Sequence, residues 1–554
     1  MNIKQAKEYI KNTVRLYLKK DEFGEYRVPV VRQRPIFLLG APGIGKTAVM
    51  EQIAQEMGIA LVSYSMTHHT RQSALGLPFI TQKNYGGAPY SVSEYTMSEI
   101  IATVYDTMEE GGIKEGGILF LDEINCVSET LAPAMLQFLQ YKTFGRHQVP
   151  QGWVVVTAGN PPEYNKSVRE FDVVTYDRLK VMEVEPDYSV WKEYAGEKRL
   201  HNAVVSYLDL KKEHFYRIEM RAGKRSYVTA RGWEDLSEIL ALHEEEGLPV
   251  DETLVGQYLR NEEVVKEFAA YYDLYQKYKR EYHIADILNG APSDRAVARA
   301  RKAAFDERLS LLGMLLDRVQ ADMQTVMEQA AFLTDLKNPL KAIGSLVEKS
   351  GCTAEKEKTA TEQNGCTTEK EKATAEQKEC TTEKEKATAE QKECTAEQII
   401  SRLETLEEAR RKQMESLRRA NSLSETDRKK SASVLRFLEE SRRELNKGDA
   451  PDGKAAVEQL KKKYNGKISE MKLKTDKTQS ELHALFAFAE EAFGEGNEML
   501  ILVTELTRNS ASARFLGMFG SPDYARHSES LMLAERRADI LAQIEQIDWI
   551  KESL

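Results

Sequence analysis

The first third of the chain alternates short apolar runs with amphipathic stretches. RPIFLLG (34–40) is followed by the helix-like AVMEQIAQEMG (48–58) and then by IALVSYS (59–65). Further on, GGILFLDEI (116–124), the helical-looking SETLAPAMLQFLQ (128–140) and GWVVVTAGNPP (152–162) repeat the alternation. Apolar runs without strict alternation predict strands buried on both faces. Strands that take turns with helices predict an α/β fold, a mostly parallel sheet with helices on both sides. From about Pro186 the strand pattern stops. EYAGEKRLHNAVVSYLDL (193–210), TARGWEDLSEILALHEEEG (229–247) and VVKEFAAYYDLYQKYKREY (264–282) read as helices. Asn289-Gly290 with Pro292 marks a break, and Ser293 is an N-cap for the next helix. The pattern thus predicts an N-terminal helix in 1–30, an α/β core over 31–186, a helical segment over 187–290 and a long all-α region over 291–554.

That last region contains a tandem repeat at about 351–397, whose units are GCTAEKEKTATEQN, GCTTEKEKATAEQK and ECTTEKEKATAEQK. Each unit offers only Ala and Cys as apolar surface, too little to offset its ordering entropy. The repeat is expected to be a solvated helix or a disordered insertion, supported at most by Glu–Lys pairs. Fourteen residues make two heptads, but the seam lacks the Leu or Ile that a strong coiled coil uses. The repeat also explains Cys352, Cys366, Cys380 and Cys394, which recur every fourteen residues. Without close ligand pairs they suggest no zinc site, and nothing else indicates a secreted disulfide framework.

At 554 residues the chain exceeds the size at which single cores stop growing. Lys+Arg number 78 against Asp+Glu 88, a net charge of −10. This argues against a nucleic-acid coat or a polybasic membrane binder. The apolar runs are far shorter than a membrane span, and the N-terminus has no secretory pattern, so a cytoplasmic protein is expected.

The chemistry is concentrated in three motifs. Gly40-Ala41-Pro42-Gly43-Ile44-Gly45-Lys46-Thr47 stands between a strand-like run and a helix-like run. This is a phosphate-binding loop in its required setting. Its glycines let backbone N–H groups curl around phosphates at a helix N-terminus, Lys46 supplies charge, and Thr47 supplies a hydroxyl for Mg²⁺. Next, ILFLDE (118–123) delivers Asp122 beside the metal's water shell and Glu123 to polarise an attacking water. Last, in WVVVTAGNPP (153–162) the strand-like run is followed by Asn160, an amide suited to hold that water or the γ-phosphate. His68 and His69 lack ligand-spaced companions and read as polar loop residues.

GAPGIGKT, LFLDE and TAGNPPEYN, in that order, resemble the Walker A, Walker B and sensor 1 elements of an AAA+ ATPase, and most of all the MoxR-like branch grouped with dynein-related ATPases. The resemblance covers roughly residues 30–240 and implies that 187–290 is the lid. It implies ATP and Mg²⁺ as ligands. It makes Arg178 of the Asp177-Arg178 pair an arginine finger for a neighbouring subunit, and Arg231 sensor 2. It further implies a ring of six copies, an unidentified protein client and a separate von Willebrand A-type partner, since this chain has no DxSxS motif. Seventy-six positions separate Lys46 from Asp122. The surplus suggests an inserted hairpin and helix like that of the MoxR-like group, with Tyr85, Gly86, Gly87 and Tyr90 at its tip.

Two other classes of function compete with a remodelling or assembly ATPase. One is a nucleotide-dependent scaffold or switch with slow turnover, for which Glu123 would be superfluous. The other is a restriction-type GTPase or nucleic-acid motor. Asn165-Lys166-Ser167-Val168 does not complete the guanine-reading NKxD, and the acidic balance gives DNA no general support.

Overall fold

The computed structural model describes residues 1–68, 71–110, 116–144, 146–164, 168–221, 224–360, 395–419, 423–447 and 452–529. His69, Asn165–Ser167, Cys366, Cys380, Cys394 and most of the repeat therefore lie outside the described residues, as do the side chains of His68 and Cys352. Contacts divide the chain into two compact units. Among the described residues, one comprises Met1–Met327, Gln413–Arg428 and Thr475–Glu529; the other comprises Glu328–Lys412 and Lys429–Lys474.

The first unit opens with α1 (Ile3–Leu18), started by a capping box between Asn2 and Gln5. There follow β1 (Ile36–Gly40), α2 (Lys46–Met57), β2 (Ala60–Ser65) and the short α3 (Arg71–Leu75). An antiparallel hairpin, β3 (Pro78–Tyr85) and β4 (Ala88–Tyr95), leads to α4 (Glu99–Glu110) and β5 (Gly117–Asp122). Then come α5 (Ala132–Tyr141), the two-residue strands β6 (Thr143–Phe144) and β7 (His147–Gln148), β8 (Trp153–Gly159), α6 (Val173–Tyr176) and β9 (Lys180–Val184). The sheet order is β2-β5-β8-β1-β9, parallel throughout, with Leu119 opposite both Val62 and Val155 and Leu38 opposite Ala158.

The absence of strict alternation now has its cause: both faces of this sheet are covered. Phe37, Leu119, Leu121 and Val155 pack with Ile100, Val104, Met135 and Phe138 on one side. Ile36, Leu38, Phe120 and Val156 pack with Met50, Ile53 and the α1 residues Ala6, Ile10 and Val14 on the other. Each of the larger of these side chains contributes about 1.5–3 kcal/mol by leaving water, and Ala6 less. The order of strands also places the ends of β1, β5 and β8 side by side, because β5, β8 and β1 are consecutive neighbours. In sheets of this kind ligands bind beyond the carboxyl ends of the strands.

The inserted hairpin forms, and Gly86 and Gly87 turn it with φ of 59° and 87°, left-handed values that glycine adopts without strain. Tyr85 and Tyr90 flank the tip and are exposed.

Beyond β9, α7 (Tyr188–Lys198), α8 (Asn202–Leu210), α9 (Ala230–Glu246), α10 (Glu252–Tyr258), α11 (Glu262–Tyr282) and α12 (Ile284–Leu288) share a core around Trp191, Tyr207, Trp233 and Phe268. Between α8 and α9 lies an element the pattern does not predict, the hairpin of β10 (Arg217–Arg221) and β11 (Lys224–Val228). Its strands, RIEMR and KRSYV, are too charged to read as buried strands. Ser293 caps α13 (Asp294–Lys302), accepting from the Ala296 N–H at 3.2 Å. The second unit is helical, built from α14 (Phe305–Ala360) after Met327, α15 (Ala396–Arg419) up to Lys412, α16 (Glu425–Lys447) from Lys429 and the first half of α17 (Gly453–Phe493) around Leu336, Leu403, Phe437 and Leu460. Among the described residues no helix is long and apolar enough to cross a membrane.

Candidate functional site

The loop after β1 is shaped by three glycines. A Cβ on Gly40 would lie 2.7 Å from the Val184 carbonyl oxygen, so the strand pair β1–β9 closes only around glycine there. Gly43 and Gly45 have φ of 73° and 91°, and Gly45 is the N-cap of α2. Among the described residues, the backbone N–H groups of Gly43 to Thr47 donate to no protein acceptor. A row of unpaired donors at a helix N-terminus is a cradle for an anion.

Lys46 lies inside this cradle at 8% exposure. Its Nζ donates to the Gly40 carbonyl at 2.7 Å, the Ala41 carbonyl at 2.9 Å and Asn160 Oδ1 at 2.8 Å. Burial pulls its pKa down to about 8, opposed by Asp122 and Glu123 and reinforced by Arg231. The buried amine thus has neutral partners in hydrogen-bond contact. A phosphate would supply the negative charge that these partners lack.

Thr47 Oγ1 donates to Asp122 Oδ2 at 2.7 Å, and the Glu123 N–H donates to Asp122 Oδ1 at 2.9 Å. Glu123 itself is left-handed, with φ 56°, ψ 36°, a conformation that costs a non-glycine residue about 1 kcal/mol or more and that clusters at functional sites. Its Oε2 accepts from Thr67 Oγ1 at 3.0 Å and Ser65 Oγ at 3.3 Å. Arg231 is the second residue of α9, whose N-cap Thr229 accepts from the Gly232 N–H at 3.2 Å. The Arg231 Cβ lies 3.6 Å from where a Cβ on Gly43 would stand. Lys46, Thr47, Asp122, Glu123, Asn160 and Arg231 line one cavity of about 540 Å³. The same cavity is lined by Ile3, Val190, Trp191, Tyr194 and Phe215, an apolar and aromatic set suited to a flat ring.

Arg178 is not brought to this cavity. It is exposed on the turn after α6. Asp172 caps that helix by accepting from the Thr175 N–H at 2.8 Å, and Phe171 and Tyr176 pack on Phe37 at ring distances of 5.4 and 6.4 Å. The segment is therefore anchored to the core while its arginine is exposed and does not line its own chain's cavity. Three contributors escape motif reading: Ser65 and Thr67, which hold Glu123, and Tyr216, whose OH donates to the Pro42 carbonyl at 2.9 Å. The signal in the sequence is weak, a pair of hydroxyl residues at the end of a strand and one tyrosine among many.

Residues 35–179 match the family model described as the AAA domain of the dynein-related subfamily. This segment is similar to an AAA domain. Its matched span runs from just before β1 to just before β9 and contains the phosphate-binding loop, Asp122, Glu123, Asn160 and Arg178. A search of the curated proteins found no match. Solved structures similar to the chain include a candidate ATPase from Cytophaga hutchinsonii, 18% identical with a TM-score of 0.20, over 33% of this chain and 54% of that one. PCH-2 of C. elegans is 15% identical with a TM-score of 0.22, over 38% of this chain and 48% of that one. The chain spans about half the length of each.

Proposed function

We propose that the chain is an ATP-hydrolysing AAA+ protein of the MoxR-like type, working in a ring of six copies to remodel or help assemble a partner protein. The observation that carries the reading is the convergence of Lys46, Thr47, Asp122, Glu123, Asn160 and Arg231 on one cavity beside an unpaired row of backbone donors. In this reading Gly40 to Thr47 cradle the phosphates and the aromatic end takes the base. Lys46 and Arg231 balance phosphate charge, Glu123 accepts the proton of the attacking water, and Asn160 orients it. The Thr47 hydroxyl and Asp122 carboxylate, 2.7 Å apart, are hard oxygen donors of the kind Mg²⁺ takes. They would hold the ion, which when bound neutralises charge on the phosphates. Arg178, exposed outside the cavity, is assigned to the neighbouring copy's nucleotide. The client and a von Willebrand A-type partner would be separate proteins.

A slow switch is a second reading, favoured by the hydroxyl bonds that occupy Glu123. ATP binding and turnover separate the two. Glu123→Gln is expected to bind ATP as the unmodified chain does but to hydrolyse it at least about tenfold slower, some 1.4 kcal/mol of barrier. Equal turnover would remove Glu123 from the catalytic role.

A further inference from the structure

Immediately after Glu123 the chain makes a single 3₁₀ turn, Ile124–Cys126, whose middle residue is Asn125. Asn125 is only 4% exposed, although it is polar and lies two residues from a cavity-lining carboxylate. A buried amide has to find partners, and these partners are informative. Its Nδ2 donates to the Asn160 carbonyl at 2.8 Å. Its own carbonyl accepts from the Arg169 N–H at 2.9 Å. Its Oδ1 takes a weak contact from Cys126 Sγ at 4.0 Å and faces Gly159, where a Cβ would approach that oxygen to 2.5 Å.

One residue thus ties together three stretches that are distant in sequence. These are the turn carrying Glu123, the turn carrying Asn160, and the start of the segment that leads to Arg178. The hydrogen bonds continue inward, since Asn160 Oδ1 accepts from Lys46, which also holds the Gly40 and Ala41 carbonyls. We propose that Asn125 is a positioning residue for hydrolysis. It sets the separation between the Glu123 and Asn160 turns, and hence the place of the water between them, without touching the nucleotide itself. This rests on the ATPase reading given above.

The chemistry of the position restricts it narrowly. Aspartate has the same shape but would set an oxygen against the Asn160 carbonyl. Alanine and serine are too short to reach it. Glutamine adds a methylene where Gly159 already stands at the contact limit. Displacing a catalytic group by about 1 Å can cost on the order of a hundredfold in rate, whereas the phosphate cradle, built on β1 and α2, takes no hydrogen bond from Asn125 itself and is reached only through Asn160 and Lys46.

The test measures ATP affinity, kcat and KM for the full chain, Asn125→Asp and Gly159→Ala, with Glu123→Gln as the reference for a lost catalytic group. Asn125→Asp removes the donor without changing shape. Gly159→Ala displaces the Asn125 amide without changing its chemistry. Both are expected to lower kcat about tenfold or more while the Kd for ATP stays within about threefold. A kcat for Asn125→Asp within about twofold of the unmodified chain overturns the positioning role, as does a loss of ATP affinity equal to the loss of kcat. Absence of turnover in the unmodified chain, under conditions where it binds ATP, overturns the ATPase reading and this inference with it.

Discussion

Lys46 carries a pH dependence that follows from its surroundings. Its pKa stands near 8 in the fold against an ordinary 10.5, because burial penalises the charged amine. The unfolded chain therefore binds more protons than the fold between about pH 8 and 10.5, and stability rises with pH through that window. Below it the full penalty is present, about 3 kcal/mol. Lys46→Met is expected to show a stability advantage at pH 7 that shrinks by pH 10, measured by urea unfolding at both pH values. The phosphates require the charged amine, so ATP affinity of the unmodified chain is expected to weaken about tenfold between pH 7 and 9, measured by calorimetry. A flat affinity profile would mean that Lys46 keeps its proton throughout. Thr67 bears on turnover in a different way. Its hydroxyl holds Glu123 at 3.0 Å, so Thr67→Val is expected to raise basal turnover severalfold if that bond restrains the carboxylate. No amount of inspection of LVSYSMTHH yields this, because a serine or threonine at a strand end has no motif and its partner lies more than fifty residues away in sequence.

Among the elements, legibility followed burial. β1, β5 and β8 announce themselves because both their faces are covered, which forces continuous apolar sequence. The phosphate-binding loop is legible because backbone geometry and phosphate chemistry together leave few residue choices at Gly40, Gly43, Gly45, Lys46 and Thr47. β10 and β11 are not legible, since Ile218 and Tyr227 keep substantial exposure and the strands carry several charges. Yet this hairpin begins beside Tyr216, whose OH reaches the Pro42 carbonyl and links the segment after β9 to the phosphate-binding loop. Tyr216→Phe is expected to cost about 1 kcal/mol of stability. It should also weaken ATP binding modestly, both readable from thermal melts with and without ATP. Gly40→Ala is expected to be worse, because its Cβ meets backbone at Val184 and β9 would have to shift away from β1. A melting temperature equal to that of the unmodified chain would show that the β1–β9 pair can open by several tenths of an ångström.

For the whole molecule, the position of Arg178 is the decisive feature. Lys46 and Arg231 line the cavity, whereas Arg178 is exposed on a core-anchored turn outside it, and the sequence order of the motifs could not have distinguished these placements. If the finger serves a second copy, each site needs residues from two chains, and two differently damaged chains can complement each other. A Lys46→Ala chain cannot hold phosphate but still presents Arg178; an Arg178→Ala chain has an intact cavity but no finger to give. Each alone is expected to be nearly inactive. The most direct measurement is therefore ATP turnover across a mixing series of the two variants. A maximum at intermediate ratios, well above both pure samples, is the result this account predicts. Turnover that stays at the average of the two at every ratio would contradict a shared site.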